Sequence, residues 1–182
     1  MIQAVYSFDE TVLRFVQESL RSPALTAVMR FFSTIGDMGM VWILLGVVLV
    51  CIRRTRRGGV EMLCSLAAEF VLCDLIIKRI VARPRPYLLL EWLELLVHEE
   101  SSFSFPSGHS ASSFACAVAL TCAFGKKGAL AFIPAAMIAL SRIYVGVHHP
   151  SDVIAGVLLG SAVGAAVYFI SRRIVPVKNG KK

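Results

Sequence analysis

Polar and apolar positions fall in long blocks along this chain rather than in short alternations. Apolar runs cover roughly Met38 to Ile52, Val60 to Val81, Ser107 to Phe124, Ala129 to Val147 and Pro150 to Arg173, with charged clusters between them. A bilayer core takes about 20 apolar residues per helix, so these runs predict membrane-crossing helices. The first is short and must start a turn earlier or tilt little. The expected fold is an all-α polytopic membrane bundle of about five spans. In the last run Gly156, Gly160 and Gly164 repeat every four residues, which predicts a close-packing face for a neighbouring helix.

Two segments follow a different pattern. In residues 8 to 35, Val12, Phe15, Val16 and Leu20 recur at helical spacing among Glu10, Arg14, Glu18 and Arg21. That is an amphipathic helix in the membrane interface. Ser22-Pro23 restarts it, and Arg30 with Asp37 argues against a span before Met38. In the loop from 83 to 106, Tyr87 to Leu96 with Trp92 predicts a second interfacial helix. The chain is thus expected to be a single membrane-embedded domain, 1–182. It comprises an interfacial segment 1–37, a helix bundle 38–173 and a basic tail 174–182.

Composition supports the membrane reading. Of 182 residues 57% are hydrophobic, and the mean hydropathy of +0.72 lies outside the soluble globular class. The formal net charge of +7 would suggest nucleic acid in a soluble protein. Here the basic residues stand at the ends of apolar runs, so they set topology and no nucleic-acid partner is expected. Arg53 to Arg57, Lys126-Lys127, Arg172-Arg173 and the tail lysines alternate correctly with the spans if all lie in the cytoplasm. An odd span count then puts the amino terminus outside. The chain start has no basic stretch leading into an apolar one, so the spans themselves are expected to direct insertion. The five cysteines lie in apolar runs without metal-ligand spacing and read as buried small hydrophobes.

What remains is a set of polar residues where polar residues are costly. Lys78 is followed by Arg85-Pro86, giving K-x6-R-P. Pro106-Ser107-Gly108-His109 gives P-S-G-H, and Ser141-Arg142, His148 and Asp152 give S-R-x5-H-x3-D. Helix rise puts them in one layer. Gly59 to Lys78, Ser107 to Lys126 and Asp152 to Arg172 each span about 30 Å at 1.5 Å per residue. Lys127 to Arg142 spans about 22 Å, so Arg142 sits slightly below the outer interface. The motifs converge on the face opposite the basic clusters, near the extracytoplasmic surface.

These three motifs, ordered and complete, resemble the type 2 phosphatidic acid phosphatase family, integral-membrane lipid phosphatases related to vanadium haloperoxidases. The resemblance covers Lys78 to about Ile170 and implies a haloperoxidase-like helical core. Lys78, Arg85 and Arg142 are three cations at one depth, and arginine's planar fork suits phosphate. Ser107 and Gly108 at a helix start can offer a hydroxyl and backbone N–H groups to an anion, or simply cap the helix. By resemblance, His148 attacks phosphorus to form a phosphohistidine, Asp152 orients it, and His109 protonates the leaving oxygen. Arg79, Arg83, His98 and His149 match no motif position and receive no role. Asp74, four residues before Lys78, is expected to pair with it, whereas no partner for Glu69 is evident.

No cofactor is implied. A metal is the competing use of two histidines and an aspartate, but the spacing lacks a metal signature and three cations would repel a divalent ion. The expected partners are the bilayer and a membrane lipid phosphate. Members of this family act on undecaprenyl diphosphate, phosphatidylglycerophosphate or phosphatidic acid, and the reading leans to the first. Lipid phosphotransfer through the same intermediate is one alternative. A non-catalytic lipid-phosphate binder or flippase is another, although that would more readily have lost a nucleophile or acid. Oligomeric state is left open.

Overall fold

The computed structural model describes residues 2–174, and every regular element among them is helical. The amino-terminal helix α1 (Ile2–Phe15) runs into a wider π turn, Val16–Leu20. Helix α2 (Pro23–Ile35) restarts where the sequence predicts. Ser22 accepts the Leu25 N–H at 3.3 Å, and Pro23 fills the first turn, where its missing N–H costs nothing. Then come α3 (Met40–Cys51) and α4 (Arg56–Phe70), the latter continuing through a π segment, Val71–Ile77, into a last turn, Lys78–Val81. Ala82 ends it in the left-handed region (φ 47°), and its N–H bonds the Lys78 carbonyl at 2.9 Å. Arg83-Pro84 then forbids helix continuation. Helices α5 (Gly108–Phe124), α6 (Phe132–Tyr144) and α7 (Pro150–Ile174) complete the bundle. The tail expected from 174 to 182 lies, beyond Ile174, outside the described residues.

Helix α5 is the centre, with α4, α6 and α7 packed around it. The glycine stripe of α7 does what its spacing predicts. A Cβ on Gly156 would stand 2.5 Å from the Ser107 carbonyl, on Gly160 2.0 Å from that of Ala111, and on Gly164 2.4 Å from that of Ala115. Two four-residue stripes of small residues therefore mesh, backbone on backbone. This fixes the register of α7 on α5, and the Ser107 N–H reaches the Asp152 carbonyl at 3.0 Å. Two motifs meet because of it. Trp42 anchors α3 by donating from its buried indole to Ser113 Oγ at 3.0 Å.

Among the described residues, two helices can cross a membrane by length and composition: Lys126–Tyr144, which includes α6, and α7. A third candidate is α2 together with Asp37–Cys51, bent by 51° at the break. The short first run is thus the second half of a broken apolar pair. Its first half, Pro23–Ile35, is the segment that Arg30 and Asp37 were expected to keep from spanning. Both charges find partners: Arg30 Nε donates to the Leu96 carbonyl at 2.7 Å, and Asp37 lies 2.9 Å from His109. The run predicted as a second span carries Glu61, Glu69, Asp74 and Lys78 on α4 and its extension, and α5 has only 17 residues. By length and composition the described residues thus carry two candidate spans, or three with the bent pair, against the five expected.

Two more expectations change. Tyr87 to Leu96 is not an interfacial helix, because after one turn, Pro86–Leu89, the chain becomes an irregular strap. Its backbone groups are bound from outside, with Gln17 donating to the Trp92 carbonyl at 2.6 Å and the Leu96 N–H reaching Val145 at 3.1 Å. Its leucines pack under Tyr144, Val145 and Val147. All five cysteines are free, but Cys51 and Cys64 are exposed rather than buried.

The ends of the bundle are chemically distinct. At one, Arg57 of α4 and Arg172 of α7 hold Glu61, with Arg57 Nε 2.9 Å and Arg172 Nε 3.0 Å from its Oε1. Gly58 packs against Phe124, the last residue of α5. The basic clusters predicted to share one side, as far as the described residues include them, therefore share one end. The three motifs occupy the other.

Candidate active site

Lys78, Arg85, Arg142, His148 and Asp152 are all buried, as are the Ser107 side chain and the loop from Val145 to His149. Asp74 carries Lys78 at 2.6 Å, one helical turn apart, as expected. Gly108 faces this pair, for a Cβ there would meet Asp74 at 3.1 Å and Lys78 Nζ at 3.3 Å. Ser107 caps α5, accepting from Ser110 N–H at 3.4 Å. With its own N–H given to Asp152, it leaves Gly108 and His109 to present the first free amides of that helix.

Arg85 donates to the Val147 carbonyl at 2.9 Å and to the Ser102 carbonyl at 2.8 Å, and a terminal nitrogen stands 3.4 Å from His148 Nε2. Another reaches Glu100 at 2.5 Å. Arg142 binds the other oxygen of Glu100, and also Ser33. One carboxylate thus bridges two guanidinium groups beside a histidine. Such a clamp suits any dianionic tetrahedral group of similar reach.

The other edge of His148 faces Asp152. Nδ1 lies 3.6 Å from Asp152 Oδ2, and Ser104 Oγ stands between, 3.4 Å from the ring nitrogen and donating to Oδ2 at 2.5 Å. The His149 N–H also donates to Oδ2, at 3.0 Å. Asp152 Oδ1 belongs to Arg83 at 2.5 Å. Burial, with the charges of Arg85 and Arg142 adding to it, holds the His148 imidazole well below its ordinary value. Such a ring is neutral, and the acceptor lone pair on Nε2 points towards Arg85.

His109 sits apart from that pair, on the first turn of α5, with Nε2 2.9 Å from Asp37. It lines a cavity of about 440 Å³ with Lys78, Gly108 and Glu100, while Ile43, Leu63, Leu66 and Phe70 form an apolar wall. Glu69 lines the same cavity, and its Oε1 finds no hydrogen-bond partner among the described residues. Glu69, Cys73 and Asp74 lie within 4.8 Å of one another. Asp74 is already taken by Lys78, whose charge opposes a cation there.

Five residues of this constellation were not singled out for a site role by sequence: Asp37, Ser104, Glu100, Arg83, and Asp9, which accepts from Arg83 at 2.7 Å. Asp37 carried a signal, being an acid directly before the first apolar run. The other four depend on loop and amino-terminal geometry.

The sequence pattern of the PAP2 superfamily matches residues 58–175. The chain belongs to the PAP2 superfamily. Among its relatives is the undecaprenyl-diphosphatase of Sulfolobus acidocaldarius, 37% identical over 75% of this chain and 66% of that one. The decaprenylphosphoryl-5-phosphoribose phosphatase of Mycobacterium tuberculosis is also 37% identical, over 87% and 88%. A crystal structure of a PAP2-type phosphatidylglycerolphosphate phosphatase from Bacillus subtilis superposes with a TM-score of 0.77 at 28% identity, covering 96% of this chain and 90% of that one. A bacterial vanadium-dependent iodoperoxidase shares the fold alone, with a TM-score of 0.68 at 19% identity over 91% of this chain and 47% of that one. This PAP2 protein is a phosphatase, and its apolar helices make it a membrane protein.

Proposed function

We propose that this PAP2 phosphatase removes phosphate from a membrane lipid phosphate or diphosphate through a phosphohistidine on His148. The observation that carries the proposal is the Arg85–Glu100–Arg142 clamp beside His148 Nε2, next to a cavity with one polar and one apolar side. A phosphoryl group in place of the Glu100 carboxylate meets two guanidinium groups and a neutral, buried nitrogen. In-line transfer chiefly needs positioning and charge neutralisation. Nε2 forms the bond to phosphorus, the bond to the lipid oxygen breaks, and His109 donates its proton to that oxygen. Water then attacks phosphorus, His109 takes a proton from it, and the N–P bond breaks. Asp152, oriented by Ser104 and the His149 amide, stabilises the imidazolium character that develops.

The apolar wall suits an acyl or prenyl tail. The two prenyl-lipid relatives support a prenyl lipid as substrate, and the first of them a prenyl diphosphate. The proposed arrangement has about five spans including the bent pair, a single domain, and the site facing away from the cytoplasm. The clustering of Arg57 and Arg172 at the opposite end supports that orientation. The test is phosphate release from a panel of undecaprenyl diphosphate, phosphatidylglycerophosphate and phosphatidic acid, using purified protein and sealed right-side-out vesicles. Undecaprenyl diphosphate is expected to turn over fastest, and the vesicles to work without permeabilisation. Activity appearing only after permeabilisation reverses the orientation.

A further inference from the structure

Asp9 is an acid on an amphipathic surface helix, yet it is only 1% exposed, and its carboxylate is fully engaged by elements it does not belong to. One oxygen accepts the Ser151 backbone N–H at 2.8 Å. The other accepts Ser151 Oγ at 2.6 Å and Arg83 at 2.7 Å. Ser151 is the second residue of α7, so Asp9 caps from outside the helix that carries Asp152. Arg83, gripped between Asp9 and Asp152, also lies under the Tyr6 ring at 5.1 Å. Its residual surface is small and its two carboxylate partners are almost fully enclosed. The row Asp9–Arg83–Asp152–His148 is continuous.

From this row we infer that Asp9, on α1 and outside the family-matched stretch, is a positioning residue for His148, acting through Arg83 and Asp152. The reasoning is charge balance. Arg83 alone would neutralise Asp152 at 2.5 Å and leave it a poor partner for the histidine. Asp9 shares that guanidinium, so the triad keeps one net negative charge beside His148. It also holds the first turn of α7 in the place where Asp152 Oδ2 accepts from Ser104 and His149. Partly satisfied buried ionic networks are costly, and this one is closed by a residue of α1. The amino-terminal helix is therefore part of the catalytic frame.

The other charges facing this row are Arg85 and Arg142 on the His148 side and the His149 ring near Asp9. All remain in the test variants. The inference rests on His148 as nucleophile, so the experiment includes His148→Ala. Asp9→Asn keeps size and one acceptor but removes the charge. It is expected to slow phosphoenzyme formation by about tenfold, a typical coupling within one network, with KM nearly unchanged. The acid limb of kcat/KM should move to lower pH, because removing a negative charge lowers the proton affinity of His148. Asp9→Glu should recover part of the rate. In an Arg83→Met background, Asp9→Asn should have little further effect, since the route to Asp152 is gone.

Thermal unfolding in detergent accompanies each rate, and Asp9→Ser, which keeps a cap acceptor without charge, covers the case in which Asp9→Asn folds poorly. If His148→Ala is inactive while Asp9→Asn and Asp9→Ser keep the wild-type rate and pH profile, the inference is overturned and the nucleophile stands. Multiplying losses in the double variant likewise overturn it, by making Asp9 a stability residue. Activity surviving in His148→Ala removes the nucleophile, and the inference falls with it.

Discussion

Both ends of the bundle hold arginines on carboxylates, and they use that pairing differently. At the basic end Arg57 and Arg172 share Glu61, but their side chains are 32% and 31% exposed and keep much of their hydration. At the motif end the exposures are 10% for Arg83, 1% for Arg85 and 2% for Arg142. The first arrangement ties two helix ends together at the partly hydrated rim of the bundle. The second keeps three guanidinium groups nearly dry, where Coulomb interactions are several times stronger and an unmatched charge is several times more expensive. An anion that replaces Glu100 there is therefore held tightly. Burial rather than residue type separates a structural clasp from a reaction site, and the variants below test that separation.

His148→Ala should have the largest effect. Turnover is expected to fall by at least about 10⁴-fold, as for other lost nucleophiles, with the unfolding midpoint little changed. Acid-labile radiolabel from substrate should mark the wild type and be absent from the variant. The pH profile sharpens the point. Burial holds the ring below its ordinary 6.5. The proposed nucleophile is therefore expected to stay neutral as pH falls through 6.5, and the acid limb of kcat/KM should lie below that value. A limb above 6.5 would mean that His148 is better hydrated than its surroundings allow.

The next effect depends on the substrate. His109→Ala removes the proposed proton donor, which matters most for a poor leaving group. Phosphatidic acid releases a lipid alkoxide, and a diphosphate attacked at its terminal phosphorus releases a phosphate monoester. The expected loss is about 10²–10⁴-fold on the monophosphate and clearly less on the diphosphate. Equal losses, with phosphoryl-enzyme formation limiting in both, would make His109 a binding group rather than an acid.

How far these parts could be read from the sequence follows from what holds them. The motif residues sit on helix ends whose depth is set by rise per residue, so Lys78, Ser107 and Asp152 could be levelled by counting. The glycines of α7 reported their own packing, because three small residues at four-residue spacing have few other uses. Glu100 was illegible. It lies on a strap held by Gln17, Arg21 and Arg30 rather than by its own periodicity, and the leucines around it imitate an interfacial helix. Arg83 stands outside the motif positions, so no pattern marks it, although it donates to Asp152. Asp37 reads in the sequence as an obstacle to a span, whereas the fold puts its carboxylate 2.9 Å from His109 Nε2 and 4.0 Å from Arg142. Local pattern shows where a polar group is costly, and only tertiary contact shows what offsets the cost.

Glu100→Gln should act in the opposite direction from the histidine variants. The Glu100 carboxylate competes with the incoming phosphoryl group for Arg85 and Arg142, so an amide, a weaker competitor, should strengthen inhibition by vanadate or inorganic phosphate. About tenfold is expected, near 1.4 kcal/mol and comparable to one hydrogen bond to a charged group. Inhibition curves at fixed lipid concentration measure it. Weaker inhibition would show that Glu100 assembles the two arginines and does not compete for them.

The smallest effect on activity should come from the basic end. Glu61 is buried at 3% side-chain exposure and meets Arg57, Arg172 and Ser171 Oγ, the last at 2.9 Å. Glu61→Gln keeps its shape and some hydrogen bonds but leaves two arginines without their carboxylate. Because both are about one-third exposed, they can turn towards water or lipid phosphates, so the full penalty for a stranded buried charge does not apply. The expected loss is about 1–2 kcal/mol of stability, with kcat and KM within about twofold of wild type. The corresponding change at the other end, Asp152→Asn, leaves Arg83 facing one carboxylate instead of two and removes the partner of His148, so it should lose activity by orders of magnitude. Denaturation in detergent and phosphate release, measured on both variants, compare the ends directly. If Glu61→Gln cuts turnover tenfold without unfolding the protein, the two ends are coupled through α4 and α7, and exposure does not separate clasp from site.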